Sequence, residues 1–138
     1  MDGRTFKGKI AQAGGGVGRN IADALGKLGT SPFLISAVGN DEFGNFIMTQ
    51  TIPHLNPNGI SRLRDVNTGT CMVLCDHTGE CLFVVGDMDI HERITEDQIK
   101  RFEKTIAESS LVVLDGNLSQ QTLEFVLILC QKHSVPGK

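Results

Sequence analysis

Gly14-Gly15-Gly16-Val17-Gly18-Arg19-Asn20 runs without a break into Ile21-Ala22-Asp23-Ala24-Leu25-Gly26-Lys27-Leu28-Gly29, so a cluster of flexible backbone opens a helix. Glycines let a ligand approach bare backbone N–H groups, and a helix N-terminus offers further unpaired donors. Hydroxyl-rich or anionic ligands are favoured at such a place. Asn20 adds an amide that can donate and accept within one ligand. The alternative is a glycine-rich turn that only caps the helix. Arg19 counts against that alternative, because a cation in the first turn faces the positive end of the helix dipole unless an acidic group or a ligand compensates. Neither Gly14/Gly16/Arg19 nor Gly16/Gly18/Ile21 completes a G-x-G-x-x-G fingerprint, and no G-x-x-x-x-G-K-[ST] occurs, so dinucleotide and Walker-type loops are excluded.

Working outward, Val17, Ile21, Ala24, Leu25 and Leu28 share one helical face, predicting a helix with one buried side that Gly29 stops. Pro32 to Val38 is a short, nearly continuous apolar run closed by Gly39-Asn40-Asp41, the pattern of a parallel strand buried on both faces. Asp41 is placed to cap a helix from Glu42 to about Thr51, ended by Pro53; capping is preferred to a catalytic role for this carboxylate. Ser61 to Val66, Thr70 to Cys75 and Cys81 to Val85 read as a small antiparallel sheet, with Asp76-His77-Thr78-Gly79-Glu80 joining the last two runs. Thr95 to Ser109 is expected as a helix capped by Thr95, Leu111 to Asp115 as a buried strand, and Ser119 to His133 as a helix. The alternation predicts an α/β fold with an inserted flap at about residues 60–90.

The 138 residues bound one domain at most. A net charge of −3, with 13 basic residues scattered along the chain, argues against a nucleic-acid surface. No apolar run approaches the roughly 20 residues of a membrane span, and Met1-Asp2-Gly3-Arg4-Thr5 lacks a signal-peptide layout, so no membrane association and a cytoplasmic location are expected. Cys71, Cys75, Cys81 and Cys130 lack zinc-site spacing and are expected as buried or half-buried free thiols in a reducing compartment. His54, His77, His91 and His133 share no ligand spacing, so no metal site is expected. Asp87 and Asp89 suit a solvated turn nearly as well as a substrate contact, and Asp115 either orients Asn117 or bonds the next turn.

Gly15-Gly16-Val17-Gly18-Arg19-Asn20 followed by Val38-Gly39-Asn40-Asp41-Glu42-Phe43-Gly44 resembles the ribokinase-like (PfkB) family of sugar and nucleoside kinases, in order and in spacing. With Thr78-Gly79-Glu80, Gly86-Asp87-Met88 and Asp115-Gly116-Asn117, the motifs are most similar to those of the pseudouridine kinases within that family, which phosphorylate the ribose 5′-hydroxyl using ATP and magnesium. The resemblance implies part of a three-layer parallel sheet with a small antiparallel β lid. It implies that Gly15 and Gly16 line the ribose hydroxyls, that Asn20 bonds the vicinal diol, that Asn117 reaches the sugar, and that Thr68 and Thr70 belong to the lid. Arg19, Thr70 and Asp87 join the candidate substrate contacts, and a homodimer through lid strands is implied. The alternative within the same fold is a kinase for another nucleoside, such as adenosine, or for a sugar, such as ribose.

The family's amino-terminal sugar-binding strand, its ATP site, its metal-associated acidic motif and its G-A-G-D base do not occur in these residues, which predicts no catalytic residue here and an isolated chain without kinase activity. Only the weak run Gly8 to Ala13 precedes the glycine cluster, and Ser134 to Lys138 falls where the next parallel strand is due. Read so, the 138 residues are one partial kinase domain, the substrate-binding half, with exposed edges that favour partial disorder, self-association or pairing with a full-length partner as a non-catalytic form.

Overall fold

A computed structural model describes Thr5 and residues 7–138. Met1 to Arg4, on which the reading against a signal peptide rests, lie outside the described residues, as does Phe6. Helix α1 spans Val17–Lys27 and closes as the sequence demands: Gly29 takes φ +87°, its N–H reaches the Gly26 carbonyl at 3.1 Å, and the Thr30 N–H reaches Leu25 at 3.1 Å. That paired arrangement satisfies carbonyls the helix would otherwise leave bare. Strand β1 (Ser36–Gly39) follows, then α2 (Glu42–Phe46), which continues as a π-helical turn over Ile47–Thr51 before Pro53. Asp41 caps α2 by accepting from the Gly44 N–H at 2.7 Å.

Strand β2 (Ile60–Leu63) pairs with β1 in parallel, Ser36 opposite Ile60 and Gly39 opposite Leu63. This corrects the expectation that Ser61 to Val66 joins the antiparallel sheet. The helical crossover between β1 and β2 delivers the second strand in the same direction as the first, as parallel pairing requires. Among the described residues, the antiparallel part is the hairpin of β3 (Thr70–Cys75) and β4 (Cys81–Asp87) alone. A 3₁₀ turn at Asp89–Arg93 returns the chain to the body.

The expected helix over Thr95 to Ser109 is two helices, α3 (Glu96–Lys100) and α4 (Glu103–Ala107). The break falls at Phe102, whose ring packs on Phe33 with centroids 5.4 Å apart, and Thr95 makes no side-chain cap bond. Helix α5 (Gln120–Lys132) is capped by Ser119, whose hydroxyl accepts from the Thr122 N–H. Leu111 to Asp115 is not the fully buried strand expected, because Leu111 and Val113 are exposed while Val112 and Leu114 pack inward. Its edge pairs in parallel with the carboxyl-terminal segment: the Val112 N–H donates to Pro136 at 2.8 Å and the Leu114 N–H to Lys138 at 2.7 Å.

Strand alternation divides the core in two. Ile35, Ala37 and Leu63 face one cluster, built with Ile90, Ile94, Ile99, Ile106, Val126, Leu129 and Cys130. Leu34 and Ile60 face the other, built with Ala22, Ile52 and Leu55. The sheet is therefore the middle of three layers, with α3 to α5 on one side and α1 and the π-helical turn on the other. Helix α1 buries Ala22 rather than the whole predicted face, and Val17, Ala24 and Leu28 are exposed. It docks through Gly26, where an added Cβ would sit 3.0 Å from Leu55, and that close approach turns the stripe away from Leu28.

Candidate functional site

The shape of the glycine cluster is set by the backbone of Gly16 and by the contacts of Arg19. Gly16 takes φ +88° at the head of α1, a left-handed conformation that a side chain would strain. Arg19 folds back over the loop, its Nε donating to the Gly15 carbonyl at 2.8 Å and its guanidinium to the Gly14 carbonyl at 2.9 Å and to the Asn20 side-chain oxygen. Asp23 lies 3.7 Å from the same guanidinium. The charge that sits badly at the helix start is thus compensated by loop carbonyls and a carboxylate one turn on. A Cβ added at Gly15 would meet open space.

Asp115 joins this loop to the far end of the chain. Its Oδ2 accepts from the Gly18 N–H at 3.0 Å, while Oδ1 accepts from the backbone N–H of Asn117 at 3.0 Å and from the Asn117 amide. Both readings left open by the sequence hold together, since one oxygen bonds the backbone of the next turn and orients the Asn117 amide; the bond that caps α1 is a further one that the sequence reading does not contain. Partial burial works against its charge, yet the bonds from Asn117 and Gly18 outweigh that cost and hold the carboxyl below its ordinary range. The charged form of His91, on the turn that follows the hairpin, pulls in the same direction.

Gly15, Gly16, Arg19, Asn20 and Asn117 are therefore one constellation, organised by Asp115. Thr70 and Asp87 belong to another place, opposite each other at the base of the hairpin. Asp87 accepts from the Asn67 amide at 3.3 Å, and with Arg64, Asp65, Val66, Asn67 and Asp89 it lines an open cleft of about 440 Å³. Thr68 beside it is buried: its hydroxyl accepts from the Gly39 N–H at 2.8 Å and donates to Asp41 at 2.7 Å, and its N–H donates to the other Asp41 oxygen at 2.7 Å. Asp41 thus fastens the hairpin's root to the turn after β1. Burial opposes its charge too, and the bonds from Thr68 and Gly44 overcome it, so its pKa is lowered. The Asp41–Thr68 tie and the approach of His91 to Asp115 carry no motif, and sequence reading does not find them; the D-x-N spacing of Asp115 and Asn117 is the one local signal.

Residues 7–137 match the model of the pfkB family carbohydrate kinases. The chain belongs to that family. It is 36% identical over 137 residues to a pseudouridine kinase of Arabidopsis thaliana, covering 99% of this chain and 36% of that protein. It is 37% identical over 125 residues to a pseudouridine kinase of Escherichia coli, covering 87% of this chain and 39% of that one. Among solved structures, a ribokinase of Arabidopsis thaliana complexed with ribose and ATP superimposes with a TM-score of 0.85 at 18% identity, over 99% of this chain and 45% of that one. A carbohydrate kinase from Agrobacterium tumefaciens gives 0.81 at 22%, over 99% and 45%. These likenesses establish the ribokinase-like α/β fold, and this pfkB-family chain spans less than half the length of each.

Kinases of this family use ATP. The glycine-rich helix opening does not fit its phosphates. The Gly18 N–H is already taken by a carboxylate, so an anion arriving there meets Asp115 and its negative charge. The anionic class of ligand expected from the loop is thereby disfavoured and the hydroxyl-rich class retained. Among the described residues no three His, Cys, Asp or Glu side chains gather to hold a metal ion, and no helix is long and apolar enough to cross a membrane.

Proposed function

We propose that these residues form the substrate-binding half of an ATP-dependent pseudouridine kinase, which converts pseudouridine to pseudouridine 5′-phosphate. The observation that carries the proposal is Asp115, whose hydrogen bonds hold Asn117 beside the glycine loop. Gly15 and Gly16 offer backbone N–H groups, and Asn20 and Asn117 offer amides, to the ribose hydroxyls. Arg19 positions the loop through its carbonyls, and Thr70 and Asp87 serve at the root of the lid. The pseudouridine kinases at 36% and 37% identity support this substrate over that of the guanosine-inosine kinase relative at 29% or the Bacillus subtilis ribokinase at 26%. On this reading ATP and magnesium are the reaction's cofactors, and these 138 residues by themselves bind nucleoside without phosphorylating it.

A second reading rests on the hairpin: Met72, Val73, Leu74, Leu82, Phe83, Val84 and Val85 are all exposed, so two chains pair through lid strands. Amide NMR of the chain with pseudouridine, uridine and ribose tests the first reading. Shifts at Gly15, Gly16, Asn20 and Asn117 with pseudouridine alone are expected. Equal response to uridine moves the assignment to another nucleoside, and a folded spectrum indifferent to all three refutes the binding half-site. Light scattering tests the second reading, which a strict monomer at high concentration refutes.

A further inference from the structure

Three of the four cysteines are not buried as their sequence context suggests: Cys71, Cys75 and Cys81 are exposed on the hairpin and only Cys130 lies in the core. Cys75 and Cys81 are directly opposed across the two strands, next to the turn. That turn is firmly set. The Asp76 N–H donates to the Glu80 carbonyl at 2.9 Å, and the Asp76 carboxylate accepts from the Thr78 N–H at 2.8 Å, the Thr78 hydroxyl at 2.6 Å and the Glu80 N–H at 3.1 Å. Gly79 supplies the left-handed residue at φ +92°. Because the Asp76 N–H bonds the Glu80 carbonyl just inside the pair, Cys75 and Cys81 fall at a non-hydrogen-bonded position. Opposite Cα atoms there are about 4.5 Å apart, within the span a disulfide bridges. A strand slip at this spot, where Leu74 faces Phe83 and Cys75 faces Cys81, places the extra residue Leu82 beside the pair.

We propose that Cys75 and Cys81 are a reversible thiol–disulfide site at the hairpin tip, oxidised by glutathione disulfide. One cysteine thiolate attacks a sulfur of glutathione disulfide, releasing one glutathione and leaving a mixed disulfide. The second thiolate attacks the protein sulfur of that intermediate, forming the Cys75–Cys81 bond and releasing the second glutathione. The protein gives up two electrons and two protons, and the oxidant becomes two thiols. The preset turn supplies the proximity, and Cys71 is a built-in control: it is exposed on the same hairpin but faces Gly86, so no thiol opposes it.

The test is incubation of the chain in buffers of rising glutathione disulfide to glutathione ratio, quenching with N-ethylmaleimide, and peptide mapping. Expected is the loss of two alkylatable thiols and a linked Cys75–Cys81 peptide at ratios where Cys71 still alkylates. Cys75→Ser should leave Cys81 as a mixed disulfide, and Cys71→Ser should leave the closure unchanged. Equal glutathionylation of Cys71, Cys75 and Cys81 with no linked peptide overturns the proposal, as does a disulfide-linked dimer in place of the internal bond. The wild-type map decides the matter even if Cys75→Ser does not fold.

Discussion

Replacing Asp115 with Asn tests whether one carboxylate organises the site. The Asn side chain keeps an oxygen for Asn117 but brings an NH₂ group toward the Gly18 N–H, so the 3.0 Å bond that caps α1 is lost. A lost cap costs about 1 kcal/mol. Exchanging a charged acceptor for a neutral one at the Asn117 turn costs about another 1 kcal/mol. For a chain of 138 residues the unfolding entropy is about 0.3 kcal/mol/K, so a total near 2 kcal/mol lowers Tm by about 7 °C. The pH dependence has a fixed sign. Because the folded carboxyl is held below its ordinary value, its stabilisation is complete above the unfolded value near pH 4. It is lost as the pH falls through the lower folded value. Paired thermal melts of wild type and Asp115→Asn should therefore show a constant gap at neutral pH that closes in acid. Equal melting at neutral pH, or a gap that persists once the wild-type carboxyl is protonated, refutes the reasoning.

Two glycine substitutions separate strain from ligand approach. Gly16→Ala, at φ +88°, should cost about 1–2 kcal/mol by chemical denaturation. Gly15→Ala enters open space and should leave stability within about 0.5 kcal/mol while weakening the nucleoside-induced shifts at Asn20 and Asn117; unchanged shifts count against the loop as the ribose contact. Thr68→Val strands the Gly39 N–H and removes one of the two bonds to an Asp41 oxygen that Gly44 still serves, at a cost of about 1–3 kcal/mol by urea denaturation. Hydrogen exchange should quicken near Thr70 and Asp87 as the hairpin root loosens, and an unaltered pattern there dismisses the tie.

Much of the fold was legible because its signals are local. Gly29 at the close of α1, Asp41 before α2 and Ser119 before α5 each act on neighbours a few residues away, and each does in the structure what its position announces. Thr95 is a local signal that failed, since it makes no cap bond; the other errors fall where a distant partner decides. Ser61 to Val66 has the composition of either kind of strand, and only pairing with β1 makes it parallel. Thr95 to Ser109 has helical periodicity throughout, but packing of Phe102 on Phe33 breaks it. Cysteines that alternate along a strand read as half-buried, whereas the hairpin has no second layer to bury them. Of the candidate site, the glycine loop and Asn117 were readable as motifs. The bond that unites them was not, since nothing near Gly18 in sequence points to Asp115.

The Asp115–Gly18 bond joins residues 97 positions apart. At about 5–20 residues per second, a ribosome makes Asp115 roughly 5–20 s after Gly18. Arg19 can gather its loop carbonyls during that wait, because all its partners lie within five residues. The other half of the constellation must await closure of a loop spanning most of the chain, the kind of contact that forms late. A nascent or misfolded chain thus presents the glycines without Asn117 and has no complete place to hold a ligand. Conversely, a ligand that bridges the two halves acts on the last step of assembly. At a hundred times its Kd such a ligand would stabilise the closed chain by about 2.7 kcal/mol, so on the proposed nucleoside-binding reading the supply of ligand would also decide how much of the chain completes its fold.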